Sequence, residues 1–195
     1  MGAIVYRGLS SMVRRYYEIT FTDSVRAAQR QYGGAEFGTE RAIDPRTAFG
    51  PREEAFIAAR DSFYLSTVAE NGWPYVQHRG GPAGFLKVLD PVTLGFADFH
   101  GNRQYMTAGN LAHDGRVSLI LVDYPQRRRL KILGHCRVED ARSAEPDLLA
   151  RLSPTTDALV ERLLLIRLEA FDWNCSQHIT PRYTEAEWRA KFSAT

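Results

Sequence analysis

Cysteine is nearly missing from this chain of 195 residues, which has only Cys136 and Cys175. Two cysteines make no disulfide framework, and neither stands in a metal-ligand spacing. His135 beside Cys136 lacks the partners a zinc site would need, so both thiols read as small buried hydrophobes. Lysine is as scarce. Lys87, Lys131 and Lys191 are the only three, which leaves 22 of the 25 cations as arginine. Anion binding therefore falls to guanidinium forks. Neither sign of charge is in excess, with 25 basic against 23 acidic residues and a net charge of +2. That balance does not advertise a nucleic-acid or membrane surface. The arginines are dispersed, and "QRRRLK" is a short cluster rather than a continuous stripe. Long hydrophobic runs are lacking too: "LILV" is strand-sized, so no membrane span is expected. The N-terminal "MGAIVYRGLSSMVRRYY" has no apolar core followed by a small-residue cleavage site, and a cytoplasmic location is expected. There is no internal repeat and no low-complexity tract.

What is present is ordinary for a globular protein, with 44% hydrophobic and 25% charged residues. Residues 1–50 read as an extension of helix and loop, and residues 51–195 as one domain. In "FTDSVRAAQRQYGG", Thr22 or Asp23 caps a short helix that Gly33-Gly34 stops. "PREEAFIAARD" gives a second, with Pro51 in its first turn and Glu53 and Glu54 favouring its N-terminal end. From Phe63 the texture changes to short strands. "FYLSTVA" and "WPYVQHR" flank Asn71-Gly72, the strongest short hairpin signal. "FLKVLD", "TLGFADF", "RVSLILVDY" and "RLKILGHCRVED" follow, the last two joined at "YPQRRR". "SAEPDLLARLS" predicts a helix capped by Ser143. "ALVERLLLIRLEAF" fits helix or strand, its alternation favouring a strand partly buried on both faces. "YTEAEWRAKF" closes as an amphipathic helix. The expected fold is mainly β (α+β): a six-stranded antiparallel barrel, closed or half-closed, with flanking helices.

One stretch stands out chemically. "FADFHGNRQYMTAGNL" ends a strand and delivers His100, Gly101, Asn102, Arg103 and Gln104 together before a helical run. Glycine lets the backbone approach a ligand closely, and the first N–H groups of the helix are unpaired. Arg103 adds a fork suited to phosphate, and Asn102 and Gln104 add neutral donors. Arg79, Lys87 and Arg129 recur at strand ends around the same barrel. After the final strand, "FDWNCSQHITPRY" crowds Trp173, Asn174, Gln177, His178 and Arg182. That mixture suits a pocket that stacks a flat ring and hydrogen-bonds its edges. His178 is the candidate proton donor or acceptor, because imidazole titrates near neutrality.

"NGWPY", "GFLKVLD", "TLGFADFHGNRQY", "RLKILG" and "DWNCSQHITPR" occur in that order, and together they resemble the pyridoxamine 5′-phosphate oxidase-related, FMN-binding split-barrel family. The resemblance covers most of the chain from Phe63 to Arg182. It implies a six-stranded split barrel and a homodimer with FMN at the subunit interface. The family's Gly-x-Pro-Tyr hairpin is matched by Gly72, Pro74 and Tyr75, and its following arginine by Arg79, displaced by about two residues. Its Leu-Leu-Lys is matched by Phe85, Leu86 and Lys87. Its phosphate-binding Ser-Arg-Lys becomes Asn102, Arg103 and Gln104, so one cation is lost. Its Arg-Gln corresponds to Arg128 and Arg129, where an arginine near the pyrimidine edge would stabilise reduced flavin. The oxidases end in an Arg-x-His substrate clamp, whereas this chain ends "DWNCSQHITPRY". The resemblance thus implies an FMN-dependent oxidoreductase with a substrate other than pyridoxamine phosphate. A flavin store or sensor without turnover would keep the same holding residues. Related split barrels also hold haem or the deazaflavin F420.

Overall fold

The computed structural model describes residues 11–33, 48–101, 103–153, 158–174 and 176–193, with residues 11–14 as backbone only. Asn102 and Cys175 therefore lie outside the described residues. Two helices come first, α1 (Ser11–Thr20) and α2 (Asp23–Gly33), followed by α3 (Pro51–Ala58). The strands are β1 (Ser62–Val68), β2 (Pro74–Gly80), β3 (Lys87–Asp90), β4 (Thr93–Phe99), β5 (Arg116–Asp123), β6 (Arg128–Asp140) and β7 (Val160–Asn174). Helix α4 (Met106–His113) lies between β4 and β5, α5 (Pro146–Leu152) between β6 and β7, and α6 (Glu185–Phe192) follows β7. Among the described residues no helix is long and apolar enough to cross a membrane.

The described residues form seven strands rather than six, in one antiparallel sheet of order β2-β1-β5-β6-β7-β4-β3. The sheet curls without closing. Phe63 on β1 stacks on Phe85 at 5.5 Å and meets Phe96 of β4 edge-on at 5.3 Å, so strands remote in the order share one core. The seam between β2 and β4 is bridged by side chains, with Arg79 donating to Asp98 at 2.7 Å. The Asn71-Gly72 hairpin forms as its chemistry dictates, with Gly72 at φ +85°.

Alternation explains the burial. Leu119 and Leu121 of β5 and Leu130, Ile132 and Cys136 of β6 point inward. On β7, Leu164, Ile166 and Leu168 enter that core, while Leu163 and Leu165 pack with Leu152 of α5 on the opposite face. This is the two-sided burial that its run of leucines anticipates. The β6–β7 ladder shifts register at Leu133/Gly134, where a Cβ on Gly134 would sit 2.5 Å from the Arg167 carbonyl oxygen. Gly134→Ala is expected to cost about 1–3 kcal/mol, the usual penalty of overpacking. An unchanged urea midpoint would show that the bulge relaxes freely.

Two local expectations need correction, and one helix carried no signal. Helix α5 starts at Pro146 with Glu145 as N-cap, because proline suits the first turn, and Ser143 instead bonds back to the Asp140 carbonyl. Helix α6 is capped by Thr184, through a capping box with Glu187, but buries nothing. Its Trp188 and Phe192 are exposed and pack on Tyr183 and each other, so the helix is not amphipathic against a core. Helix α1, which carries no strong cap signal, lies along β7, where Arg15 donates to Glu169 at 2.6 Å.

Candidate functional site

The stretch after β4 is strained. Arg103 and Tyr105 have φ of +58° and +52°, in the left-handed region that costs a non-glycine residue about 1–2 kcal/mol. Such strain concentrates where function holds it. Tyr105 is the N-cap of α4 and makes no side-chain cap bond, so the helix presents Met106, Thr107 and Ala108 to a cleft without a local acceptor. The helix is held down by buried Thr107 and Leu111 and by Asn110, whose amide donates to Thr67 of β1 at 2.9 Å. The cleft has a volume of about 150 Å³. Tyr75, Gln77 and Arg79 of β2 line one side, with the Tyr75 hydroxyl bonded to Gln77.

A charged network forms its floor. Asp98 of β4 accepts from Arg79 Nη1 at 2.7 Å and from Arg162 Nε and Nη2 at 3.0 and 2.8 Å. Arg162 and Asp98 meet because the β4–β7 register sets them opposite each other. The Arg162 guanidinium lies 4.8 Å over the Tyr105 ring and is 3.0 Å from Glu161 Oε2, close enough for an ion pair but misaligned for a hydrogen bond. Glu161 Oε1 instead meets His100 Nδ1 at 2.6 Å, and His100 Nε2 is 3.5 Å from Arg103 Nη2. The hydrogen bond from His100, with the charge of Arg162, holds the Glu161 carboxyl below the usual carboxylate range. Of the residues that line the cleft, three are arginines, Arg79, Arg103 and Arg162, against one carboxylate, Asp98, which leaves it net cationic; Glu161 and His100 adjoin that lining through Arg162 and Arg103. Arg79 Nε is buried and has no hydrogen-bond partner, an orphan donor on a residue that lines the cleft. These features fit a phosphate group.

The sequence-predicted residues divide into groups. Arg79, Arg103 and Gln104 come together at the cleft. Lys87 begins β3 and is exposed, and Leu86 is buried in the core. Phe85 packs against that core on Phe63. Arg129, Trp173 and Asn174 lie at the other end of β7, with Arg129 opposite Asn174 in the β6–β7 ladder. Gln177 and His178 follow that end, both exposed, with His178 at φ +61°. Strand β7 is 15 residues long, so at ~3.3 Å per residue its ends are up to about 46 Å apart. Within one chain the two groups do not meet. The side-chain amide oxygen Oδ1 of Asn174 is buried with no hydrogen-bond partner. Trp173 donates to Glu53 at 2.8 Å, and the guanidiniums of Arg52 and Arg128 lie 4.2 and 4.7 Å from its ring centre, so local partners already cover much of the indole.

Asp98, Glu161 and Arg162 were missed by sequence reasoning. The signal was the presence of ionisable groups inside otherwise apolar strands, "TLGFADF" and "VERLLLIRL", where a charge requires a partner. Cys136 is buried, which pushes its thiol up to about 12, so the native protein is expected to resist alkylation there at pH 8. Peptide mapping that finds rapid Cys136 modification would refute this. Among the described residues no group of three or more His, Cys, Asp or Glu side chains could hold a metal ion.

Comparison with known proteins gives one family match and several related folds. The family model described as pyridoxamine 5′-phosphate oxidase matches residues 49–160, more than half of the chain. HupZ of Group A Streptococcus is 12% identical, with a TM-score of 0.53 over 69% of this chain and 99% of that one. A provisionally assigned pyridoxamine 5′-phosphate oxidase from Lactobacillus delbrueckii is 19% identical, with a TM-score of 0.51 over 66% of this chain and 96% of that one. At these identities the likeness is one of fold. No curated protein matches the chain.

Proposed function

Because the chain belongs to the pyridoxamine 5′-phosphate oxidase family, we propose that it is an FMN-binding flavoprotein acting as an oxidoreductase, with a substrate other than pyridoxamine phosphate. The observation that carries this reading is the net-cationic cleft under the strained Arg103–Tyr105 turn, where Arg79 and Arg103 would hold the phosphate and the uncapped start of α4 would add its N–H groups. A cleft of about 150 Å³ takes a phosphate and ribityl tail but lies below the roughly 300–1,000 Å³ of whole-ligand pockets. The remaining walls are assigned to a second copy. Arg129, Asn174 and Gln177, stranded at the far end of β7, would reach the ring of the flavin held by its neighbour, giving a homodimer with two interfacial sites.

Bound FMN would supply the electron-accepting ring and the protein its position and electrostatics. Arg129 would place positive charge beside the ring edge where reduction builds negative charge. His178, exposed beyond β7, would give or take the accompanying proton. The Arg-x-His clamp of the family's oxidases has no counterpart in "DWNCSQHITPRY", which is why another substrate is assigned.

Purified protein is expected to be yellow and to release, on denaturation, a ligand with the mass of FMN. A Soret band, or the mass of F420, would replace the cofactor. Holo-protein that no electron donor reduces would leave a flavin carrier without turnover. A colourless chain that takes up no added FMN would end the proposal.

A further inference from the structure

His100 sits where the phosphate reading alone does not require an ionisable group. Its Nδ1 is 2.6 Å from Glu161 Oε1. An ionised carboxylate only accepts, so Nδ1 carries the hydrogen and Nε2 is the nitrogen left to respond to the cleft. That nitrogen is 3.5 Å from Arg103 Nη2, beyond the 2.7–3.2 Å of a good hydrogen bond. In the neutral ring Nε2 is an acceptor on which the Arg103 fork leans. In the imidazolium it is a donor that repels Arg103 and seeks the same acceptor.

We propose that His100, held by Glu161, is a proton-coupled part of the anion subsite, so that binding a phosphate monoester dianion draws a proton onto the ring and sets His100 and Arg103 on the ligand together. The proposal rests on the phosphate reading of the cleft given above. Every charged group around the dyad enters the balance. Glu161 on β7 favours the imidazolium, and so does Asp98 on β4. Arg103 in the loop and Arg162 on β7 oppose it, although Arg162 is already bonded to Asp98 and paired with Glu161. Arg79 on β2 is taken by Asp98, and Arg142 is paired with Asp140 beyond β6. Tyr105 offers its ring to Arg162. The other arginines near the ring are thus matched by carboxylates, and Arg103 is the cation in excess. A dianion arriving at Arg103 tips the balance towards the charged ring. The dianion belongs to FMN or to a phosphorylated substrate, and the ligands compared below separate the two.

The test is calorimetric titration of the full chain at pH 7 in buffers of different ionisation enthalpy, with FMN, riboflavin and inorganic phosphate as ligands. FMN is expected to take up a substantial fraction of a proton in the wild type. In His100→Gln uptake should vanish or turn into slight release, because a phosphate monoester with a second pKa near 6 sheds its remaining proton. Riboflavin, which lacks the phosphate, should move no proton in either protein. Uptake with inorganic phosphate but not with FMN would give the site to a phosphorylated substrate, with the coupling intact. A full proton corresponds to about a tenfold fall in FMN affinity per pH unit rise, and Glu161→Gln should flatten that slope as well. The His100 side chain is 43% exposed and that of Glu161 21%, so His100→Gln is the milder change, and unchanged thermal unfolding would verify that each variant folds. Equal proton counts in wild type and His100→Gln, or uptake with riboflavin, would overturn the coupling while leaving the flavin reading in place. Failure of the wild type to bind FMN or phosphate at all would remove both.

Discussion

Asp98→Ala is expected to destabilise the protein by about 3–5 kcal/mol, the range found when one partner of a buried ion pair is removed. Asp98 is about 15% exposed, and the two arginines it joins are each about 19% exposed. Its loss would leave two guanidiniums facing each other, with Glu161 as the remaining carboxylate near them. No backbone ladder joins β2 to β4 among the described residues, so this side-chain bridge is what fastens the edge strand across the open seam. Urea unfolding should show the loss, and amide exchange should show it earliest in β2. Asp98→Asn, which keeps an acceptor but no charge, should fall between. If Asp98→Ala unfolds at the wild-type midpoint, the triad contributes nothing and β2 is held by its ladder with β1 and by packing.

The second large effect is on affinity. Arg103→Ala should weaken FMN binding by about 1.5–3 kcal/mol, the value of a hydrogen bond to a charged group. That corresponds to roughly 10- to 150-fold in Kd. Riboflavin affinity should stay unchanged, and Arg103→Lys should recover only part of the loss, since an ammonium cannot grip two phosphate oxygens at once. The backbone supplies a separate signature. With φ at +58°, Arg103→Gly should raise stability by about 1–2 kcal/mol while weakening FMN binding as Arg103→Ala does. A residue whose removal stabilises the fold and weakens binding is held there for function. Wild-type FMN affinity in Arg103→Ala would place the phosphate elsewhere.

Much of the architecture could be read from local chemistry. Asn71-Gly72 requires a tight turn, Thr184 with Glu187 makes a capping box, and "RVSLILVDY" alternates with the period of a strand. The loop at His100–Gln104 announces itself because five polar or flexible residues interrupt an apolar strand-to-helix passage. The ionic floor of the cleft was not legible in this way. Asp98 and Arg162 are far apart in the chain and meet only through the β4–β7 register, which is shifted at Asp98/Phe99. Leu86 and Lys87, neighbours in one motif, part company: Leu86 is buried in the core and Lys87 is exposed, because period-two alternation puts neighbours on opposite faces.

By itself, the sequence determined the strands, most of the turns and the arginine-bearing loop, since these follow from side-chain alternation and φ preferences within a few residues. Only the tertiary structure decided that a seventh strand joins one open sheet, that Asp98 gathers Arg79 and Arg162, and that His100 is held by Glu161. Pairing register is a long-range choice fixed by burying all the strands together, and a segment of a few residues carries too little of that energy to reveal it.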